Sequence, residues 1–221
     1  MARLPRLALP DHAHWIIQRG TSGRAVFADD EDRSTFLAAL REAAALEQVR
    51  IHAFALPDTE VHLLARPATA QGLSRLMQSL GRRYVSAHHR RHGGSGTLWD
   101  GRFRCAVVEP GETLLEVLRL IDGLASMPGQ STLGHRGGGA ADPQVTDPPE
   151  FWHTGNTPFE RQIHWRGAVA EGLAPARAGA LLAAARGGWV VGGEAFAAKV
   201  AEASGRAATP RPRGRPVTRR P

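Results

Sequence analysis

The sequence predicts an α+β fold: a ferredoxin-like split β-α-β domain, with a four-stranded antiparallel sheet and its helices on one face. Three observations predict it. Strand-like and helix-like apolar periodicities alternate as β-α-β-β-α-β over the first half of the chain. The two central strands are separated only by the turn Pro57-Asp58-Thr59. Beyond Ala125 the composition shifts to glycine, proline and alanine.

Each element has its own local reason. Trp15-Ile16-Ile17-Gln18 reads as a strand, ended by the turn-rich loop Arg19-Gly20-Thr21-Ser22-Gly23. Asp29-Asp30 offers an N-cap, and from Glu31 to about Gln48 the residues Phe36, Leu37, Leu40 and Ala44 recur at helical spacing. Acids fill that helix's first turn, where the macrodipole favours them. Ile51 to Leu56 and Glu60 to Arg66 read as the paired strands, the second alternating with period two. Gln71 to about Arg91 reads as a long helix with Leu73, Leu76, Met77, Leu80, Tyr84 and Val85 on one stripe and arginines elsewhere. Gly93 to Gly96 breaks it. Phe103 to Glu109 reads as the fourth strand, and Glu112 to about Leu124 as a third helix. This arrangement leaves the second sheet face free.

The expected organisation is a folded domain over 1–125, a Gly/Pro-rich connector over 126–157, a helical accessory region over 158–204 and a basic disordered tail over 205–221. Helical stretches are expected at about 158–172 and 175–204, with Leu173, Leu181, Leu182, Trp189 and Phe196 forming a small bundle. The tail has too few apolar residues to pack when free.

Composition narrows the function. The 221 residues include one cysteine, Cys105, which excludes an internal disulfide framework and a Cys-ligated zinc ribbon and fits a reducing, cytoplasmic setting. No apolar run approaches the roughly 18 residues of a membrane span, and Pro5, Arg6 and Pro10 interrupt any signal-peptide core. No membrane partner is expected. The formal charge is +7, and it is concentrated. Residues 205–221 hold six arginines and no acid, while residues 75–104 hold seven arginines against Asp100. Lys199 is the only lysine, so the basicity is guanidinium, which forks onto phosphates and base edges. Two such patches point to a polyanion partner touched twice. Solvated faces are the alternative for either patch.

Candidate chemistry lies on Glu60-Val61-His62. Residues 60 and 62 point to one side of a strand, so a carboxylate and an imidazole share a face and could together hold a divalent ion. The alternative is a solvated Glu60 beside an ordinary half-buried histidine. His88, His89 and His92 on the long helix are either exposed residues or part of a zinc site, but their i, i+1, i+4 spacing places only His88 and His92 together. Arg82, Arg83, Arg102 and Arg104 would present guanidinium groups beside the sheet. Trp99 offers either a stacking plate for an unpaired base or a core anchor.

The stretch LPDTEVHLLARP resembles the MPNHVHLL signature of single-tyrosine HUH transposases, specifically the REP-associated tyrosine transposases with their IS200-like domain. IIQRGTSGRAVFADDED, GLSRLMQSLGRRYV, GTLWDGRFR, DPQVTDPPEFWHTGNTPFERQ and RGGWVVGGEAF continue the resemblance in order over nearly the whole chain. It implies DNA transposition: recognition of hairpin or single-stranded repeat DNA, with two histidines and a later polar residue holding Mg²⁺ or Mn²⁺ and a helix tyrosine attacking the phosphate. In this sequence Glu60 stands at the first histidine, His62 keeps the second, Leu120 stands at the tyrosine and Leu124 at the third ligand. Residues 111–130 contain no tyrosine, and Tyr84, the only one in the chain, lies on the long helix, where packing or a DNA contact is expected. The resemblance thus implies a transposase-type DNA binder, cytoplasmic and nucleoid-associated, that has lost strand cleavage, while Glu60 could still bind a hard cation, since carboxylates suit Mg²⁺. The alternatives are a repurposed nuclease using a metal-bound water, an RNA-binding module on the open sheet face, and a poorly folding remnant. A homodimer is compatible with the wider group.

Pro212-Arg213-Gly214-Arg215-Pro216 resembles an AT-hook core. In such a core, Arg213 and Arg215 would enter the narrow minor groove of an A·T-rich duplex, and the tail would add salt-dependent avidity.

Overall fold

Apolar strands and amphipathic helices assemble around one sheet in the computed structural model, which describes residues 6–124, 127 and 129–210. The strands are β1 (His14–Arg19), β2 (Val49–Ala55), β3 (Glu60–Pro67) and β4 (Arg104–Val107). They lie in the order β2-β3-β1-β4, every neighbouring pair antiparallel. The register puts Arg19 opposite Glu60 and Ile17 opposite His62. This is the α+β, split β-α-β sheet that the sequence predicts.

Helices α1 (Asp30–Leu46) and α2 (Gly72–His92) cover one face. Helix α1 starts where Asp29 Oδ1 accepts the Asp32 amide at 3.0 Å, with Asp30, Glu31 and Asp32 in the first turn. Helix α2 stops at Gly93, whose φ of 74° lies in the region that glycine tolerates. Between them and the sheet lie Ile16, Phe36, Leu40, Leu63, Leu76, Leu80 and Tyr84, all essentially inaccessible. Each large side chain buried this way contributes roughly 1.5–3 kcal/mol relative to exposure.

The opposite face is covered as well, which corrects the expectation of a free face. Trp15, Ile17, Ala53, Ala55, Leu64 and Ala106 pack against α3 (Glu112–Gly123), α6 (Pro158–Glu171) and α7 (Pro175–Gly187), with Phe151 and Trp165 completing the cluster. The physical reason is that β1 and β3 are apolar on consecutive positions, not alternate ones, so both of their faces need cover. An open sheet face of the kind an RNA-binding module uses is therefore absent among the described residues.

Residues 126–157, expected as a connector, contribute α4 (Leu133–Arg136) and α5 (Pro149–Trp152). Ser131 bridges Ala55 and Val145 bridges Ile51, so this stretch caps the β2 edge. The stretch expected as helical over 175–204 is two helices, α7 and α8 (Glu194–Ser204). Gly188, at φ 69°, ends α7, and Val191 then pairs with Val108 beside β4, covering the other edge. The chain stays packed past 205: the Val190 amide donates to the Ala208 carbonyl at 2.9 Å, and Ala208 is buried beside Val107 and Val200. The expected tail boundary therefore moves beyond Ala208. Arg213 and Arg215 lie outside the described residues.

Candidate functional site

The alternation of β3 places Glu60 and His62 on the face that α3 covers, as the spacing requires. His62 is fully buried. Trp15 Nε1–H donates to His62 Nδ1 at 3.2 Å, and an indole N–H can only donate, so Nδ1 accepts and the neutral ring carries its proton on Nε2. That Nε2 lies 3.0 Å from Glu60 Oε1, off the line of a hydrogen bond. Glu60 also faces Arg186 of α7 at 3.4 Å and Arg19 at 3.7 Å. His62 first, then Arg186 and Arg19, hold the Glu60 carboxyl below its usual range, against the opposing effect of burial.

A divalent ion fits this arrangement poorly. Of the two His62 nitrogens, one lone pair is taken by Trp15 and the other nitrogen bears the proton, while two guanidinium groups compete for the carboxylate. Among the described residues, no third carboxylate, imidazole or thiol joins the pair. Sequence reasoning identified the pair but not its partners, because Trp15 and Arg186 come from distant segments.

Leu120 on α3 and Leu124 at its C-cap are half-buried and pack into the cluster on this face. Neither side chain offers an oxygen or nitrogen. Asp122, between them, is fully buried and accepts hydrogen bonds from Arg136 Nη1 (3.0 Å), Trp165 Nε1 (2.8 Å) and the Thr132 hydroxyl. It is a packing anchor for α3. Tyr84 lies on the other side of the sheet, where its hydroxyl donates to the Val26 carbonyl and burial pushes its phenol up. It is a packing residue.

The basic residues fall into two groups. Arg82, Arg102 and Arg104 are exposed and pair with no acid among the described residues. Arg83 is engaged by Glu42. Trp99 is half-buried, packed against the α1/α2 cluster with its ring 6.1 Å from Tyr84, and its backbone bridges Gly20. It therefore anchors the loop while lining a groove of about 550 Å³. Gln71 at the N-cap of α2 and Ser74, Arg75 and Gln78 on that helix line the groove, together with Arg102 and Phe103. The polar residues of α2 are not among the contacts expected from the sequence. The signal for them is the i, i+3, i+4, i+7 spacing of those four polar residues on one helix face. Guanidinium, carboxamide and hydroxyl groups around an indole suit phosphates and bases together.

Two of the solved structures that resemble the chain illustrate the likeness. One is a REP-associated tyrosine transposase bound to a REP hairpin, at TM-score 0.52 and 12% identity, covering 68% of this chain and 93% of that one. The other is a Deinococcus radiodurans R1 protein provisionally assigned as a transposase, at TM-score 0.38 and 22% identity, covering 57% of this chain and all of that one. The first establishes a shared fold. No protein-family model matches the sequence, and neither does any curated protein.

Proposed function

We propose that this chain is a DNA-binding protein on a REP-associated tyrosine transposase fold, recognising hairpin or single-stranded repeat DNA without cutting it. The observation that carries the reading is the state of the expected catalytic position. Leucine stands at 120, with no other nucleophile on α3 at that face, and the Glu60–His62 pair is engaged by Trp15, Arg19 and Arg186. Strand cleavage needs a nucleophile and a polarised phosphate, and this face supplies neither. The Mg²⁺ or Mn²⁺ of the resemblance has no role in this reading.

Binding does not need that face. Arg82, Arg102 and Arg104 remain free to meet phosphates, and the groove beside Trp99 can take an unpaired base. Arg213 and Arg215 would add a second contact on an A·T-rich duplex. The solved transposase of the same fold is bound to a REP hairpin, which supports DNA as the partner class.

The test is a gel shift with a labelled hairpin oligonucleotide across a salt series, using the full chain and a form ending at Pro210. Hairpin-preferring binding that survives truncation is expected. Binding that disappears with the tail would leave only a nonspecific arginine arm. A parallel incubation of the hairpin with Mn²⁺ should return it intact; a cut strand, covalently linked or free, would overturn the loss of cleavage. Equal competition by a matched RNA hairpin would overturn the choice of DNA.

A further inference from the structure

We propose that Asp32, His88 and His92 form a zinc site that clasps the N-terminus of α1 to the C-terminal end of α2. It lies on the α1/α2 side of the sheet and is independent of the DNA-binding reading. The three residues bring one donor atom each to within 4.8 Å of one another. His88 and His92 are one helical turn apart, with ring centroids 4.6 Å from each other. His92 Nε2 is 2.8 and 3.0 Å from the two Asp32 carboxylate oxygens. Two imidazoles and a carboxylate are a donor set that suits zinc, and solvent at the exposed His92 side can complete a tetrahedron.

Three further features point to a cation. The Nδ1 of His88 is buried without a hydrogen-bond partner, an unexplained cost unless its ring serves another purpose. Asp32 is almost wholly buried and is held in place by the Ala28 amide, which donates to Oδ2 at 2.8 Å. The carboxylates of Asp29, Glu31 and Asp32 share a single guanidinium, Arg91, so the local field stays negative. Zinc would take the place of the proton between His92 Nε2 and Asp32, the ring then carrying its proton on Nδ1. Arg91, whose Nη1 lies 2.7 Å from Asp32 Oδ1 and 3.1 Å from His92 Nε2, would be displaced from both by the ion and remain on Asp29 and Glu31. The third histidine of the run, His89, plays no part; tertiary structure supplies Asp32 instead.

The probe is Co²⁺, a spectroscopic stand-in for zinc, titrated into metal-free full-length protein and then displaced by Zn²⁺. Saturation at one ion per chain with the visible absorption of a four-coordinate site is expected, together with a rise in melting temperature on adding Zn²⁺. His88→Ala and His92→Ala should each weaken binding at least about tenfold, of the order seen when groups supporting a metal site are removed. His89→Ala should change nothing, and Arg91→Gln should bind as well as the parent or better. Circular dichroism of each metal-free variant separates lost binding from lost folding. Absence of saturable Co²⁺ binding would overturn the site. So would full binding by a folded His88→Ala protein, or loss of binding in His89→Ala, which would identify adventitious histidine coordination.

Discussion

Replacing Arg136 with methionine should cost this protein about 4 kcal/mol of stability, within the roughly 3–5 kcal/mol for stripping one partner from a buried ion pair. The guanidinium is wholly buried. Its Nη1 donates to Asp122 Oδ2 at 3.0 Å and to the Thr132 hydroxyl at 3.2 Å, its Nε donates to Asp147 Oδ1 at 2.8 Å, and its Nη2 donates to the His52 carbonyl. Methionine fills a similar length of space but donates nothing. Asp122 would then keep only Trp165 and Thr132 around a fully buried carboxylate, and Asp147 would keep His135 at 3.3 Å. An orphaned His52 carbonyl adds roughly 1–3 kcal/mol if no water reaches it. Pairing Arg136→Met with Asp122→Leu should recover a large part of the loss, since apolar replacement of a whole buried pair is often near neutral. Urea unfolding followed by far-UV circular dichroism measures both. A single-variant loss below about 1 kcal/mol, or a double variant as unstable as the sum of the singles, would refute the reasoning.

Four further outcomes can be measured. His14 and His52 are buried and pushed down to about 4, so the folded chain keeps them neutral while the unfolded chain titrates near 6.5. Their contribution is complete above pH 6.5 and is lost as pH falls toward 4, on the order of 3 kcal/mol for each histidine; a flat stability profile over that window in urea titrations would contradict it. Cys105 is buried and its thiol is pushed up to about 12, so Ellman's reagent should react with it only after unfolding. Tyr84→Phe should cost about 1 kcal/mol through the lost hydrogen bond to Val26 without altering DNA binding, which gel shifts and urea melts separate. Substituting Arg82, Arg102 and Arg104 together with alanine should lower the salt slope of hairpin binding by about 2, at roughly 0.7 per single-strand phosphate contact, whereas Arg83→Ala, already engaged by Glu42, should change it little.

Much of the architecture was legible in the sequence because local chemistry and global fold agree. Asp29 caps α1 where an N-cap was expected, the Phe36–Leu40 stripe faces the core, Gly93 ends α2, and the Pro57-Asp58-Thr59 turn pairs β2 with β3. The period of hydrophobicity sets which side of a helix or strand is buried, and that needs no knowledge of distant residues. Two-sided burial was harder to see. The consecutive apolar residues Trp15-Ile16-Ile17 and Leu63-Leu64-Ala65 carry its signal, yet which segments would provide the cover is a question of long-range packing.

The candidate sites divide along the same line. That Leu120 is no nucleophile and that Glu60 stands beside His62 follow from residue identity alone. What those residues do was decided by tertiary structure: Trp15, opposite Leu64 on the neighbouring strand, dictates the His62 tautomer, and Arg186, 126 positions from Glu60, neutralises its carboxylate. In the same way, α2 by itself presents His88 and His92, but Asp32 reaches them only because α1 packs alongside. Side-chain identity determines which interactions are possible. Burial and neighbours brought from far along the chain determine which of them form, because both the strength of a charge and the cost of leaving it unpaired depend on the medium that folding creates around it.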